Sequence, residues 1–307
     1  MKILIMGSGG VGGYFGGRLA AAGNDVTFIA RGAHQAAMEK DGLLLDSQLG
    51  NATIKPVKAT ATPSAAQAPD IVMFATKLGD TQAAAEQLKG VAGKDTIIIT
   101  FQNGVDGPEI VKSVLPEAHV VPGVARIASH ISRPGVIEHR SPFARIEFAE
   151  PDGSENPKLQ AFHALCKDAG IDAIISRDIT RAQWMKFAML APFSGLTALT
   201  GATAGPIRET PGTRTLIEDA VREVIAVGTA AGVPFRPGDF ETIMKTVEGN
   251  PFAMTSSMAH DRMAGKPMEV NFLSGAVVRI GEKLGVPAPT HKFITQALAI
   301  DAGGHKK

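Results

Sequence analysis

Short apolar runs alternate with amphipathic stretches through the first half of the chain, and the second half carries helical spacing alone. Lys2–Met6 (KILIM) and residues 25–30 (DVTFIA), 70–75 (DIVMFA) and 96–101 (TIIITF) are nearly continuous hydrophobic runs. Such runs suit strands of a parallel sheet buried on both faces. Residues 11–23 read as a helix ended by its glycine, and 78–91 and 156–170 as further helices. Residues 42–58 read as irregular strand pairing. Residues 120–140 and 144–148 read as strands on the far side of the sheet, with Pro134-Gly135 as a turn, and 171–175 as a last strand.

From residue 179 to 291 the pattern is helical throughout. Residues 214–231 form a long candidate helix, stopped by Gly232 with Pro234 beyond it, and 240–247 a short one. Residues 270–284 place apolar side chains at 270, 273, 277, 280 and 284, one stripe on one face, and Gly285 ends the run. The change of pattern near residues 176–178 predicts two domains, 1–176 and 177–307. The terminal GGHKK reads as disordered.

The turn after the first strand carries the first chemistry. Gly7, Gly9 and Gly12 fall in the G-x-G-x-x-G spacing, after a strand, at the opening of a helix, and ahead of a second strand. In that setting the first glycine permits a tight turn, the second lets backbone approach a pyrophosphate, and the third lets helix and strand pack closely. The helix N-terminus offers N–H groups and a positive dipole end to the phosphates. The fold class expected is therefore α/β plus all-α: an N-terminal Rossmann-type doubly wound sheet, then a helical domain. Where an NAD site usually places an acidic residue on the ribose, this chain has Ala30 and Arg31. A guanidinium there pairs with a 2′-phosphate, so the cofactor expected is NADP(H). A solvated arginine opening the next helix is the plainer alternative.

Composition narrows the classes. A length of 307 residues suits two domains. A formal net charge of +1 with no basic run argues against a nucleic-acid partner. No stretch has the length of a transmembrane helix, and the first apolar run stops at Met6 instead of continuing as a secretory signal. Cys166 is the single cysteine, which excludes an internal disulfide and fits a reducing compartment; its amphipathic surroundings mark it as a small core residue. The eight histidines show no metal-ligand spacing, and G-x-S-x-G is absent. A cytoplasmic, metal-free protein is expected.

Other candidates lie where an open α/β sheet binds ligands, beyond the carboxyl ends of its strands. Thr76-Lys77 follows one run and Gln102-Asn103-Gly104 another. Asn103 can donate and accept, so it can bridge a ribose and a substrate oxygen, or simply make an Asn-Gly turn. In the helical half, Lys186 is the one charge between Trp184 and Phe193, a stretch apolar on every helical face. Such a helix is buried, so its lysine either snorkels outward or enters a polar site with a lowered pKa. Glu269, ahead of the 270–284 stripe, reads as a first-turn carboxylate or a catalytic one. Ser256 and Ser257 taken singly are routine helix residues.

Together the segments GSGGVGG, ARG, TK, QNG, WxK, SSM, ME and SGAVVRIGEKLGVPAP, in that order, resemble the ketopantoate reductase (2-dehydropantoate 2-reductase) family over residues 1–289. The resemblance implies an NADPH-binding Rossmann domain and a helical domain completing the site. On matching positions, Gly7, Gly9 and Gly12 hold the pyrophosphate, and Ser8, Gly10 and Val11 of the same loop bind the cofactor with them. Arg31 holds the 2′-phosphate, and Lys77 and Asn103 line the cofactor and substrate site. Lys186 matches the catalytic lysine, Glu269 its acidic partner and Ser257 a substrate-binding serine. The implied reaction is NADPH-dependent reduction of 2-dehydropantoate to pantoate, a step of pantothenate biosynthesis.

The chain departs from the family where asparagines are usual, showing Leu190, Ser194 and Ala204 instead. That leaves open a different, more apolar 2-keto acid or ketone as substrate. A non-catalytic NADP(H)-binding sensor is a remoter alternative, disfavoured by the charge kept inside the apolar helix. The partner expected is a small keto acid, with no nucleic acid and no membrane; a homodimer is an option the sequence does not decide.

Overall fold

The computed structural model of the protein describes residues 1–66 and 68–304. Residues 305–307, and with them the end of the GGHKK tail, lie outside the described residues; Gly304 donates its N–H to the Asp301 carbonyl. The chain forms two compact units, Met1–Asn103 with Gly107–Ile179, and Gly104–Asp106 with Thr180–Lys307.

The first unit runs β1 (Lys2–Met6), α1 (Gly10–Ala21), β2 (Asp25–Ile29), α2 (Gly32–Asp41), β3 (Leu43–Ser47), β4 (Ala52–Ile54), β5 (Lys58–Thr60), β6 (Ile71–Phe74), α3 (Thr81–Glu86), β7 (Ile97–Thr100), α4 (Gly107–Val114), β8 (His119–Arg133), β9 (Val136–Phe148), α5 (Pro157–Asp168) and β10 (Asp172–Ile175). The strands share one sheet, ordered β4-β3-β9-β8-β7-β6-β1-β2-β5, with β10 beside β9. From β5 to β8 every pairing is parallel; the β8–β9 hairpin is antiparallel.

The unbroken apolar runs follow from burial on both faces. In β1, Ile3 and Ile5 enter one core, while Leu4 and Met6 enter another on the opposite face. β6 divides in the same way, Ile71 and Met73 from Val72 and Phe74. Alternation along a strand thus gives each run two hydrophobic faces instead of one. The chain leaves β1 for β2 on one side and later returns for β6 on the other. The strand order therefore reverses between β1 and β6, the switch point at whose carboxyl edge such sheets bind ligands.

Two expectations for this unit are corrected. The helix expected over 78–91 is a 3₁₀ turn at Leu78–Asp80 followed by α3, which ends at Glu86. Beyond it the N–H groups of Leu88 and Lys89 bond three residues back, and Gly90 takes φ +74°, which closes the run in tight turns. The pause expected between 140 and 144 is absent, because β9 continues through it: His139 Nε2 stands 2.8 Å from the Ser141 hydroxyl and 3.1 Å from the Phe143 carbonyl.

The second unit is helical: α6 (Ile179–Thr200), α7 (Ala204–Glu209), α8 (Pro211–Ala230), α9 (Asp239–Glu248), α10 (Ser257–Met263), α11 (Ser274–Leu284) and α12 (Pro289–Leu298). α6 is its axis, with residues 191–198 all buried. Trp184, Phe187 and Leu196 of α6 share a core with Ile217, Val221 and Val224 of α8 and Ala276 and Val277 of α11. Pro192 lies inside α6, so the Ala188 carbonyl has no N–H at the usual helical position.

Candidate functional site

In the first unit the ladder register brings the sequence candidates to one edge. Met6 pairs with Ile29 and Phe74, and Phe74 with Thr100. Gly7, Ala30-Arg31, Ala75-Thr76-Lys77 and Phe101-Gln102-Asn103 therefore all emerge from the carboxyl ends of adjacent strands.

The glycine-rich turn is shaped for close backbone approach. Gly7 has φ +101°, a conformation side chains disfavour, and a Cβ there would stand 2.8 Å from the Thr76 nitrogen. A Cβ on Gly12 would stand 2.2 Å from the Gly7 carbonyl oxygen. Around Gly9, by contrast, a Cβ would meet nothing within 4 Å. Gly9 is also the N-cap of α1, and no side chain caps that end. An open, uncapped helix start with positive dipole is what a pyrophosphate requires. Other residues of the turn have structural partners. Ser8 donates both its N–H (3.1 Å) and its hydroxyl (2.8 Å) to the Ile29 carbonyl, and a Cβ on Gly10 would fall 2.3 Å from the Ser129 carbonyl oxygen. Val11 is half-buried against the core.

Arg31 is exposed and is the N-cap of α2. Lys77 is exposed and opens the 3₁₀ turn, and Asn103 is half-buried. Between them sits Gln102, quoted in the sequence motif but given no role there. It is buried, and its Nε2 donates toward the Thr76 carbonyl (3.1 Å), the Thr76 hydroxyl (3.2 Å) and the Thr81 hydroxyl (2.7 Å). Thr81 in turn donates to the Leu78 carbonyl at 2.8 Å. This amide fastens the loop carrying Lys77 to the end of β7, one residue before Asn103. A buried amide at a strand's carboxyl end is the signal that could have found it.

In the helical unit, Lys186 lies half-buried on α6. Leu190, Ser194 and Thr197 follow at intervals of four, four and three, so they share its face of the helix. At the far end of that face a relay of hydroxyls is closed. The Ala259 N–H donates to Ser256 Oγ (3.0 Å), Ser256 Oγ lies 2.7 Å from Thr197 Oγ1, and Thr197 donates to the Phe193 carbonyl (2.8 Å). Ser256 is thus the N-cap of α10, and exposed Ser257 its first residue. Taken singly Ser256 is a routine helix residue, and its capping role follows only from where α10 begins.

Glu269 does not open a helix, as expected, but a turn. Its carbonyl accepts the N–H groups of Phe272 (2.9 Å) and Leu273 (3.0 Å), and α11 starts only at Ser274. Leu273, at φ −103° and ψ −92°, lies outside the helical region and interrupts the ladder. Ser274 is fully buried, and its hydroxyl stands 3.1 Å from where a Cβ on Gly195 would be, so α6 and α11 approach closely here. Of the three departures from the family pattern, Leu190 is half-buried, Ser194 and Ala204 are buried, and the Ala204 N–H donates to the Met254 carbonyl at 2.8 Å.

Among the described residues no group of three or more His, Cys, Asp or Glu could hold a metal ion, and no helix is long and apolar enough to cross a membrane. Cys166 is buried, and burial pushes its thiol up to about 12, far from nucleophilic use.

Comparison with known proteins identifies the family. Residues 3–153 match the family model Ketopantoate reductase PanE/ApbA, and residues 178–300 match Ketopantoate reductase PanE/ApbA C terminal. A 2-dehydropantoate 2-reductase of Mesorhizobium japonicum is 30% identical over 328 residues, covering 99% of each chain. An uncharacterized oxidoreductase of Bacillus subtilis, YkpB, is 31% identical over 289 residues, covering 94% of this chain and 95% of that one. The crystal structure of a PanE/ApbA family ketopantoate reductase from Ralstonia eutropha superposes with a TM-score of 0.91 at 31% identity, covering 98% of each chain. A D-mandelate dehydrogenase bound to NADH and anilino(oxo)acetate shares the fold, with a TM-score of 0.88 at 19% identity over 98% of each chain. With two successive family models matched and relatives aligned end to end, this chain belongs to the ketopantoate reductase family of NADP-dependent oxidoreductases.

Proposed function

We propose that the protein reduces a 2-keto acid to the 2-hydroxy acid with NADPH, and that 2-dehydropantoate is the first substrate to test. The observation that supports this reading most directly is the open, uncapped start of α1 at Gly9, level with Arg31 at the same sheet edge. Gly7, Gly9 and Gly12 with the first turn of α1 take the pyrophosphate, and Ser8, Gly10 and Val11 hold that turn in shape. The Arg31 guanidinium takes the 2′-phosphate, which an acidic residue would repel. Lys77 and Asn103 hold the nicotinamide half and the substrate.

When bound, NADPH supplies a hydride to the keto carbon. Lys186 donates a hydrogen bond to the carbonyl oxygen, stabilises the negative charge gathering there and gives up a proton from Nζ, so the oxygen becomes the hydroxyl of the product. The apolar surroundings of α6 strengthen that interaction by excluding water. Glu269 orients the lysine and the substrate hydroxyl, offsetting the desolvation of the ammonium. Ser257, free at the start of α10, binds the substrate. Lys186 is left neutral, and solvent reprotonates it.

A second reading keeps the reaction and changes the substrate to a more apolar 2-keto acid or ketone. It is favoured by Leu190, Ser194 and Ala204, which replace amides with apolar or smaller groups in the helical unit. A cytoplasmic homodimer suits either reading; the ketopantoate reductase of Staphylococcus aureus, 22% identical and alike in fold, is dimeric. The test is NADPH oxidation followed at 2-dehydropantoate and across a panel of 2-keto acids and ketones. No turnover with any carbonyl, despite NADPH binding, overturns the enzymatic reading.

A further inference from the structure

His34 stands in the first turn of α2, three residues beyond Arg31, and is half-buried. Its two ring nitrogens face two distant backbone groups. Nδ1 lies 3.0 Å from the N–H of Gly135, in the β8–β9 turn. Nε2 lies 3.1 Å from the carbonyl oxygen of Ser8, inside the glycine-rich turn. The Gly135 N–H can only donate and the Ser8 carbonyl can only accept. One protonation state satisfies both: the neutral ring with its proton on Nε2. Burial pushes the ring's pKa below the usual histidine value, in the same sense.

The turn is thereby held from several sides. Ser8 bonds to Ile29 through its N–H and hydroxyl, and to His34 through its carbonyl. Gly135 accepts from the Leu44 N–H at 2.9 Å while donating to His34, so the anchor for the ring is itself fixed. Gly10 lies directly against Ser129 of β8.

The Ser8 carbonyl and the Gly9 N–H belong to one planar trans peptide, so they point in opposite directions. Gly9 has no Cβ and open space around it, and a peptide beside such a residue flips at little steric cost. We propose that His34 is a positioning residue for cofactor binding: by holding the Ser8 carbonyl it fixes the direction of the Gly9 N–H, the donor presented to the pyrophosphate. The inference rests on the reading that this turn takes the dinucleotide phosphates.

The experiment is titration of NADPH and NADH into the full-length protein, with His34→Leu, His34→Gln and Arg31→Ala as variants. Leucine offers neither hydrogen bond, whereas the glutamine amide keeps one donor and one acceptor. His34→Leu is expected to raise the Kd of both nucleotides by the same factor, about tenfold, because both carry the pyrophosphate. His34→Gln is expected to stay within about threefold of the unmutated protein, and Arg31→Ala to weaken NADPH alone. A purely structural histidine leaves nucleotide affinity unchanged in the folded fraction. If His34→Leu binds both nucleotides as tightly as the unmutated protein while Arg31→Ala still weakens NADPH, the positioning role is wrong and the cofactor reading stands. If the unmutated protein binds neither nucleotide, the cofactor reading itself fails. A measurement independent of any variant is the ring ¹⁵N spectrum at pH 7.5: the proton must sit on Nε2, and a proton on Nδ1 overturns the inference.

Discussion

The hydroxyls of Thr197 and Ser256 meet at 2.7 Å across 59 residues of chain, joining the helix that carries Lys186 to the helix that begins with Ser257. Both residues are buried, and each hydroxyl also bonds backbone on its own side. Neither has water to fall back on. Thr197→Val leaves Ser256 short of an acceptor, and is expected to cost about 1–3 kcal/mol in chemical denaturation. Because the pair fixes the start of α10, the same variant is expected to raise KM for the keto acid while leaving NADPH affinity unchanged. An unaltered KM removes the link between this contact and Ser257.

Cofactor choice is expected to turn on Arg31. It stands exposed two residues past β2, where an NAD enzyme commonly has a carboxylate. NADPH is expected to bind more tightly than NADH by roughly 1.5–3 kcal/mol, and Arg31→Ala to erase most of that difference without changing NADH affinity. Equal affinities in the unmutated protein refute the assignment.

For the chemical step, Lys186→Ala is expected to lower kcat by at least about a hundredfold, the scale of a lost general acid and charge stabiliser. The fold and NADPH affinity are expected to survive, since the side chain is only half-buried and the proposed nucleotide turn lies in the other unit. Activity within a few-fold of normal places Lys186 outside the reaction.

The legible part of the molecule is the part governed by local pattern. The parallel strands could be read because burial on both faces leaves runs such as TIIITF, and the glycine-rich turn between strand and helix because neither Gly7 nor Gly12 has room for a side chain. The interval 78–91 misled because its composition suits a helix, while the clamp of Gln102 on Thr76 and Thr81 and the turn at Gly90 shorten it. Glu269 misled in a similar way: the apolar stripe of α11 extends back to residue 270, but Leu273 breaks the backbone ladder that the stripe suggests. The contacts of Ser256 with Thr197, Gln102 with Thr76 and His34 with Gly135 are not legible in the sequence because they span 59, 26 and 101 residues, and no local pattern encodes such pairs.

Acid stability is expected to turn on His291. The ring is fully buried on α12, its Nε2 lies 3.0 Å from the Ala220 carbonyl, and Nδ1 has no hydrogen-bond partner. Burial pushes its pKa down to about 4, against about 6.5 in the unfolded chain. The folded state therefore binds fewer protons than the unfolded state below pH 6.5. The contribution is present in full above that value and is lost as the pH falls from 6.5 towards 4, to a total of roughly 3 kcal/mol. His34 and His139, both lowered first by burial, add in the same direction. Urea midpoints measured from pH 7.5 to 4.5 are expected to fall, and His291→Gln to flatten part of that slope. A profile unchanged by the substitution assigns the loss elsewhere.

Substrate preference is expected to turn on Leu190. It lies one helical turn beyond Lys186 on the same face of α6 and is half-buried, so a substrate bound at Lys186 as proposed is expected to meet isobutyl where the resemblance places an amide. The missing amide removes one hydrogen bond to a polar substrate, on the order of 0.5–1.5 kcal/mol, and adds apolar surface that favours a less hydroxylated one. Leu190→Asn is expected to raise kcat/KM for 2-dehydropantoate relative to an apolar 2-keto acid by about threefold to tenfold. Ser194 is fully buried, so an asparagine there must find room as well as partners; the single Leu190 variant is the cleaner test. Kinetics of Leu190→Asn and of the unmutated enzyme on the two substrates decide it. If the unmutated enzyme already prefers 2-dehydropantoate over every other carbonyl, and Leu190→Asn changes nothing, the apolar face is neutral and the substrate is the one the family name states.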